Sequence, residues 1–240
     1  MATFQTLYQR VSSGFSDTVD QKEFTNVGYN RVCSTTVVDQ KTGATRRLSF
    51  LRATTTLALV ANQAEYAITG ASPATGIVDW SGPISVAVST VAGGSAYDDL
   101  LWYDEREFDR VLGASTGVLR PLFVTMRGAA TPTASSSAVR AGGEQRLVFG
   151  PTPDAAYNAL VRYYRDVASI QMANDADIPI LPLQFHHLIV LAAMSYGSAF
   201  ADAYLSSVEW EQKYQAELQM LLAWDGAQLA PPSSQPGTPS

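Results

Sequence analysis

Hydrophobic positions at the start of the chain repeat at helical spacing. Phe4, Leu7, Tyr8, Val11 and Phe15 follow the i, i+3, i+4, i+7, i+11 pattern of one helix face, which predicts a helix over residues 4–15. Thr3 is placed to cap it and Gly14 to end it. Asp20-Gln-Lys-Glu23 has the form of a capping box, so a second helix is expected to reach about residue 34. Phe24, Val27 and Arg31 share one of its faces, and Cys33 packs near its end as a small apolar residue. Beyond residue 36 the texture changes to β-branched residues and turns. Residues 35–38, 48–51, 54–60, 65–68, 84–91 and 122–126 read as strands, separated by turn-forming stretches at 39–43, 61–64 and 92–95. Residues 98–112 read as a short amphipathic helix with a self-paired charged face. The Ala/Ser/Thr/Gly-rich residues 129–143 read as a mobile loop.

The strongest strand signal is the pair 145–149 and 157–164 around Gly150-Pro-Thr-Pro-Asp154, which predicts a hairpin. In the second run Tyr157, Ala159, Val161 and Tyr163 alternate with Asn158, Leu160, Arg162 and Tyr164, so both faces carry bulk. A linker at 171–182 ends in Pro182, which suits the first turn of a helix. The next helix, 183–204, is apolar on most sides and interleaves bulky residues with Ala192, Ala193, Gly197, Ser198, Ala199 and Ala201. A last helix spans about 206–224, with Trp210, Tyr214, Leu218, Leu221 and Leu222 at helical spacing. The Pro/Ser-rich residues 225–240 cannot pack a core and are expected to be a flexible tail. The fold class expected is α+β: a helical bundle formed from the N- and C-terminal helices (about 4–34 and 183–224) with a β-rich middle (about 36–165). Residues 1–224 are read as one domain.

Composition narrows the function. The chain has 240 residues, 46% of them hydrophobic, but only 16% charged, against about 25% in ordinary domains. A neutral surface is cheap to desolvate, which suits a component of an assembly. A net charge of −6 leaves no basic field to attract nucleic acid. One cysteine excludes an internal disulfide framework and a cysteine-based zinc site. The longest apolar run, 188–194, is far short of the about 20 residues of a membrane span. Met1-Ala-Thr-Phe-Gln5 lacks the basic and apolar regions of a secretory signal, so none is expected.

Candidate chemistry is sparse. His186 and His187 are adjacent and point about 100° apart on a helix, whereas chelating pairs sit at i, i+4. One inward and one surface histidine are expected, with no metal and no cofactor. No Gly-x-Ser-x-Gly elbow occurs. Asn174-Asp-Ala-Asp177 resembles half of a calcium loop but lacks its Gly and terminal Glu, and reads as linker carboxylates. The carboxylates of 98–109 could house a glycosidase-type pair, which keeps a hydrolase as one alternative.

Three motifs carry a resemblance by their order. They are Leu147-Val-Phe-Gly-Pro-Thr-Pro-Asp154, then Tyr157-Asn-Ala-Leu-Val-Arg-Tyr-Tyr-Arg165, then Ile178-Pro-Ile-Leu-Pro-Leu-Gln-Phe-His-His-Leu-Ile-Val190 with its Ala-rich helix, followed by Trp210-Glu-Gln-Lys-Tyr214. The chain resembles the head–tail adaptor (connector) proteins of tailed bacteriophages over about residues 3–224, with a longer middle at 70–145. The resemblance implies a non-enzymatic virion protein made in the host cytoplasm. It implies a ring, commonly of twelve copies, that joins the portal protein to a tail or neck protein. DNA passes through its channel without specific binding, and no membrane is involved. On this reading the ring interface is expected at Ala193, Gly197, Phe200, Trp210 and Tyr214, and the portal contact at Trp224, Leu229, Pro231 and Pro232. A different virion protein, structural or receptor-binding, with a ligand-binding β middle is the other alternative.

Overall fold

The computed structural model describes residues 3–11, 18–38, 43, 45–68, 77, 79–113, 117–128, 145–167, 171–200 and 204–229. Its helices are α1 (Phe4–Val11), α2 (Thr18–Cys33), α3 (Glu105–Gly113), α4 (His186–Phe200) and α5 (Tyr204–Leu229). Its strands are β1 (Thr36–Val38), β2 (Thr45–Arg47), β3 (Arg52–Ala58), β4 (Glu65–Ala67), β5 (Trp80–Ser89), β6 (Tyr97–Asp99), β7 (Leu101–Trp102), β8 (Phe123–Gly128), β9 (Gln145–Gly150) and β10 (Asn158–Arg165). The chain divides into two compact units, a terminal unit of Met1–Leu51 with Val167–Ser240 and a central unit of Arg52–Asp166.

In the terminal unit α4 is the hub. It is apolar around most of its circumference, so it needs partners on several sides, and α1, α2 and α5 all pack on it. Leu188, Ile189, Ala192 and Ala193 are fully buried. Val11 of α1 joins Phe24, Ala193 and Met194 in one apolar cluster, so the first helix meets the 183–204 helix as its unpartnered face required. The first amides of α1, which have no intrahelical partner, are satisfied from outside. Phe4 N donates to the Asp177 carbonyl at 2.8 Å and Gln5 N to that of Asp175 at 3.1 Å. The 174–177 segment is thus a structural cap. Asp177 accepts from the amides of Ala173 and Asn174 at 2.7 Å each, and Asp175 pairs with Lys22 at 2.7 Å. At the far end of α5, Asp225 is fully buried and accepts from the Ser49 amide (2.6 Å) and the Arg46 guanidinium (2.5 Å). Residues 225–229 therefore continue the last helix rather than starting a tail, and residues 230–240 lie outside the described residues.

In the central unit two four-stranded sheets, ordered β3-β10-β5-β6 and β4-β9-β8-β7, share one core. Leu57, Val86, Val88, Ala159 and Val161 of the first meet Tyr66, Val124, Leu147 and Phe149 of the second. The strands β6 and β7 are consecutive yet belong to different sheets, so one extended stretch stitches the two together. Helix α3 covers the other face of the second sheet, with Phe108 edge-on to Phe123 at 5.2 Å.

Several expectations are corrected. A helical bundle of the two chain ends around a β-rich middle does not describe the fold. The described residues form ten strands in three sheets, and the five α-helices are scattered along the chain. Helix α3 lies within the β segment, and the β1–β2 pair belongs to the terminal unit. The expected hairpin of 145–149 with 157–164 is absent. β9 pairs with β4 and β8, whereas β10 pairs with β3 and β5. The 150–154 segment passes the chain from one sheet to the other, and β10, central in its sheet, buries Ala159, Val161 and Tyr163 on one face and leaves the alternate residues half-buried on the other. The strand expected at 48–51 is instead a 3-10 turn at Ser49–Leu51. The single helix expected over 98–112 divides into β6, β7 and α3. Phe15, Gly14 and the 129–143 loop lie outside the described residues. Among the described residues no helix is long and apolar enough to cross a membrane.

Candidate interaction surfaces

Close helix contact in the terminal unit is made by α2 on α4. A Cβ on Gly28 would lie 2.5 Å from the Ile189 carbonyl oxygen and 2.7 Å from the Ala193 nitrogen. The small residues of α4 thus admit a partner helix from the same chain. No local pattern in the sequence marks Gly28, because its partners Ile189 and Ala193 are about 160 residues away along the chain.

The expected interface residues fall into distinct settings. Ala193 and Gly197 are buried within their own unit. Tyr214 is buried beneath the Arg31 guanidinium, 4.4 Å from the ring centre. Trp210 is half-buried against the Val11–Phe24–Ala193–Met194 cluster, with the Lys213 ammonium 4.5 Å over its ring. Phe200 closes α4. Of the expected portal contacts, Trp224 is half-buried and lies edge-on to Phe185 at 5.6 Å. Leu229 ends α5, and Pro231 and Pro232 lie outside the described residues. The structure brings Ala193 and Trp210 together in one cluster and places Trp224 about four turns further along α5.

A polar network ties α2, α4 and α5. Arg31 donates two hydrogen bonds to Glu211 (2.8 and 2.6 Å), which also accepts from Ser195 and Gln215 at 2.8 Å each. The Arg31 guanidinium holds the Glu211 carboxyl down at about 2. Cys33, the last residue of α2, is buried, and burial pushes its thiol up to about 12, the setting of a packing residue and not of a nucleophile. His186 faces inward, one ring nitrogen 2.7 Å from the Leu181 carbonyl oxygen, and burial lowers its pKa. His187 sits nearer the surface, between Glu217 (3.0 Å) and the Gln184 carbonyl (3.0 Å). Among the described residues no group of three or more His, Cys, Asp or Glu is arranged to hold a metal ion.

The acidic 98–109 segment is occupied by structural work. Asp98 pairs with Arg120 at 2.8 Å and Asp99 with Arg162 at 3.4 Å. Asp104 caps α3 by accepting from the Glu107 amide at 2.9 Å. Glu107 binds Arg110, and Glu105 and Asp109 both bind Arg127. Each carboxylate considered for hydrolysis already orients an arginine or a helix terminus.

The 150–154 segment organises the loops at one end of the central unit. Its carbonyls accept from two separate stretches: Gly150 and Thr152 from Leu122 N (2.8 Å) and Leu119 N (2.9 Å) of residues 118–122, and Pro153 from Asn62 N (2.7 Å). Leu101 N in turn donates to the Leu122 carbonyl at 3.1 Å. These backbone-linked stretches carry exposed large apolar side chains: Val60, Leu101, Trp102, Val118, Leu119 and Leu122. From the sequence Leu101 belongs to an apolar helix face and Leu122 to a strand, and no local pattern marks any of the six as exposed.

Comparison with known families gives one match that covers nearly the whole chain. A family model described as SU10 adaptor protein matches residues 2–238. No curated protein matches the chain. The chain belongs to the SU10 adaptor protein family and is a phage adaptor structural protein, a component of the virion.

Proposed function

We propose that this member of the SU10 adaptor family forms a ring that joins the portal to a tail or neck protein and continues the DNA channel, at the head–tail junction. The observation that carries the reading is the extent of the family match, which takes in both compact units. Twelve copies is the expected number. The ring contact is assigned to the α4–α5 region. Trp210 and Phe200 meet the neighbouring copy, while Ala193, Gly197 and Tyr214, buried beneath, hold these helices in register. The portal contact is assigned to the chain end, from Trp224 through Leu229 to Pro231 and Pro232. A net charge of −6 suits a conduit, since a wall that attracted phosphates would retain DNA. No catalytic step is part of this function.

Native mass spectrometry and negative-stain imaging of the protein alone and mixed with portal test the reading. A closed ring that stacks on portal is expected. A protein that stays monomeric with portal present overturns it. A chain ended after Asp225 that still binds portal as tightly as the full chain removes the chain end from the contact.

A further inference from the structure

The loop cluster around residues 150–154 has the features of a docking surface. Isolated exposed apolar residues are ordinary, but large apolar side chains gathered on linked loops mark a site of association. Leu119 is 54% exposed, Leu122 53%, Val118 49% and Trp102 39%; Leu101, 60% exposed and paired with Phe123, faces the opposite side of its sheet from Trp102, which is paired with Val124, and lies outside the surface. Their stretches are fastened to one another through the Gly150, Thr152 and Leu122 carbonyls, so the surface is set before any partner arrives. Little ordering is then left to oppose binding.

The charges on the same stretches select the partner. Residues 97–106, 118–122 and 150–154 carry five carboxylates, Asp98, Asp99, Asp104, Glu105 and Asp154, and two guanidiniums, Arg106 and Arg120. Arg120 is already engaged with Asp98 at 2.8 Å. In the chain Leu100 separates Asp98 and Asp99 from Leu101 and Trp102, and Tyr103 separates these from Asp104 and Glu105. Asp98, Asp99 and Glu105 remain more than half exposed despite their partners. An apolar surface with acidic flanks disfavours DNA. It also disfavours the same surface of a second copy, which would set carboxylate against carboxylate.

We propose that this cluster docks a different virion protein, through a segment of that partner with an apolar anchor flanked by lysine or arginine. The inference rests on the adaptor reading and specifies which part of the chain serves a partner other than its own copies. Leu119 and Leu122 supply the apolar seat, Trp102 its aromatic side, and Asp104 and Asp154 the charge that orients the incoming segment.

The test places the photocrosslinking residue p-benzoylphenylalanine at Leu122, in the full chain, within assembled particles, and identifies the crosslinked peptides by mass spectrometry. The expected product joins Leu122 to another virion protein, at a peptide with Lys or Arg within a few residues of the crosslink. Crosslinks to other copies of this chain alone, to an acidic peptide, or to no protein overturn the proposal. A second arm compares L119D/L122D with wild type. The double variant is expected to bind the partner so identified roughly ten-fold or more weakly, as for loss of an interface anchor. Unchanged binding overturns the proposal. The D104K/D154K variant is expected to bind that partner more weakly at low salt, with the deficit shrinking as salt rises. Ring formation by the same variants, read by native mass spectrometry, tests the adaptor reading separately. A ring that forms while partner binding fails supports the docking site, and a wild-type chain that forms no ring sinks the adaptor reading alone.

Discussion

In the terminal unit a side chain at Gly28 of α2 would meet main-chain atoms of Ile189 and Ala193 of α4, whereas in the central unit a side chain at Gly150 would meet the Phe123 ring. The two glycines look alike in the sequence, yet they differ in what surrounds them. At Gly28 the three nearest atoms belong to the main chain of α4, fixed by its own hydrogen bonds. Around Gly150 the near atoms are those of one aromatic side chain, which has torsions through which to yield. The contrast teaches that the helical seam is rigid at the level of the backbone, while the sheet core keeps some tolerance at the level of rotamers.

The sharpest way to break this contrast is Gly28→Ala. The new methyl meets a carbonyl oxygen and an amide nitrogen closer than a carbon sits to either, so α2 must move off α4. A loss of about 3 kcal/mol is expected, the upper end for overpacking. The lone cysteine supplies a local reporter, since Cys33 ends α2 and is buried in the terminal unit. Thiol labelling of native protein should accelerate in Gly28→Ala in step with the loss measured by urea. Labelling at the wild-type rate would show that the seam opens elsewhere.

Asp225→Asn probes the same unit through charge. The carboxylate is fully buried between Arg46 and the Ser49 amide, while a fifth of the Arg46 side chain stays exposed. Removing the charge leaves Arg46 able to reach water, so the loss is expected at about 2 kcal/mol, below the ~3–5 of a wholly buried pair. Urea unfolding with Cys33 labelling checks it. An unchanged midpoint would mean the pair contributes nothing net.

What the sequence makes legible, and what it hides, follows the same division. Phe4, Leu7, Tyr8 and Val11 announce a helix because the information is local, and all four are buried. The contact of α1 with α4 follows because neither helix covers its own apolar face. Gly28 stays hidden, since nothing near it in the chain says that Ile189 and Ala193 lie opposite. The 150–154 segment illustrates the same limit in the central unit. Two β runs around a Gly/Pro stretch have the local signature of a hairpin, but pairing is a non-local choice, and here each run found partners in a different sheet. A signal was present in the five-residue length and the two prolines of that stretch, which fit a chain crossing better than a tight reversal. For the interaction surface, Leu119 and Leu122 are indistinguishable in sequence from core residues, because hydrophobicity does not record which face is left uncovered.

Gly150→Ala sharpens the comparison from the central side. The methyl displaces the Phe123 ring, which is packed between Phe108 and Tyr103. Relaxation of the ring should hold the loss to roughly 1.5 kcal/mol. Cys33 labelling should stay at the wild-type rate, because the perturbed residues belong to the other unit. A Gly150→Ala loss equal to or above that of Gly28→Ala would overturn the distinction between backbone and side-chain tolerance.

The smallest effect expected is electrostatic and confined to the terminal unit. Glu211 accepts from Arg31, Ser195 and Gln215, and the Arg31 guanidinium holds its carboxyl at about 2, below the usual 4.5. A depressed carboxyl stabilises the fold while it is ionised in both states. That stability is complete above about pH 4.5 and is lost as pH falls towards 2. Its side chain is 34% exposed, so solvent screening reduces the contribution to about 1 kcal/mol. Urea midpoints of wild type and Glu211→Gln at pH 6 and pH 2.5 isolate it. At pH 6 the variant should be less stable by about that amount, and at pH 2.5 the gap should narrow. A gap that is constant with pH would mean that Glu211→Gln loses packing or hydrogen bonds and that the charge of Glu211 holds nothing in place.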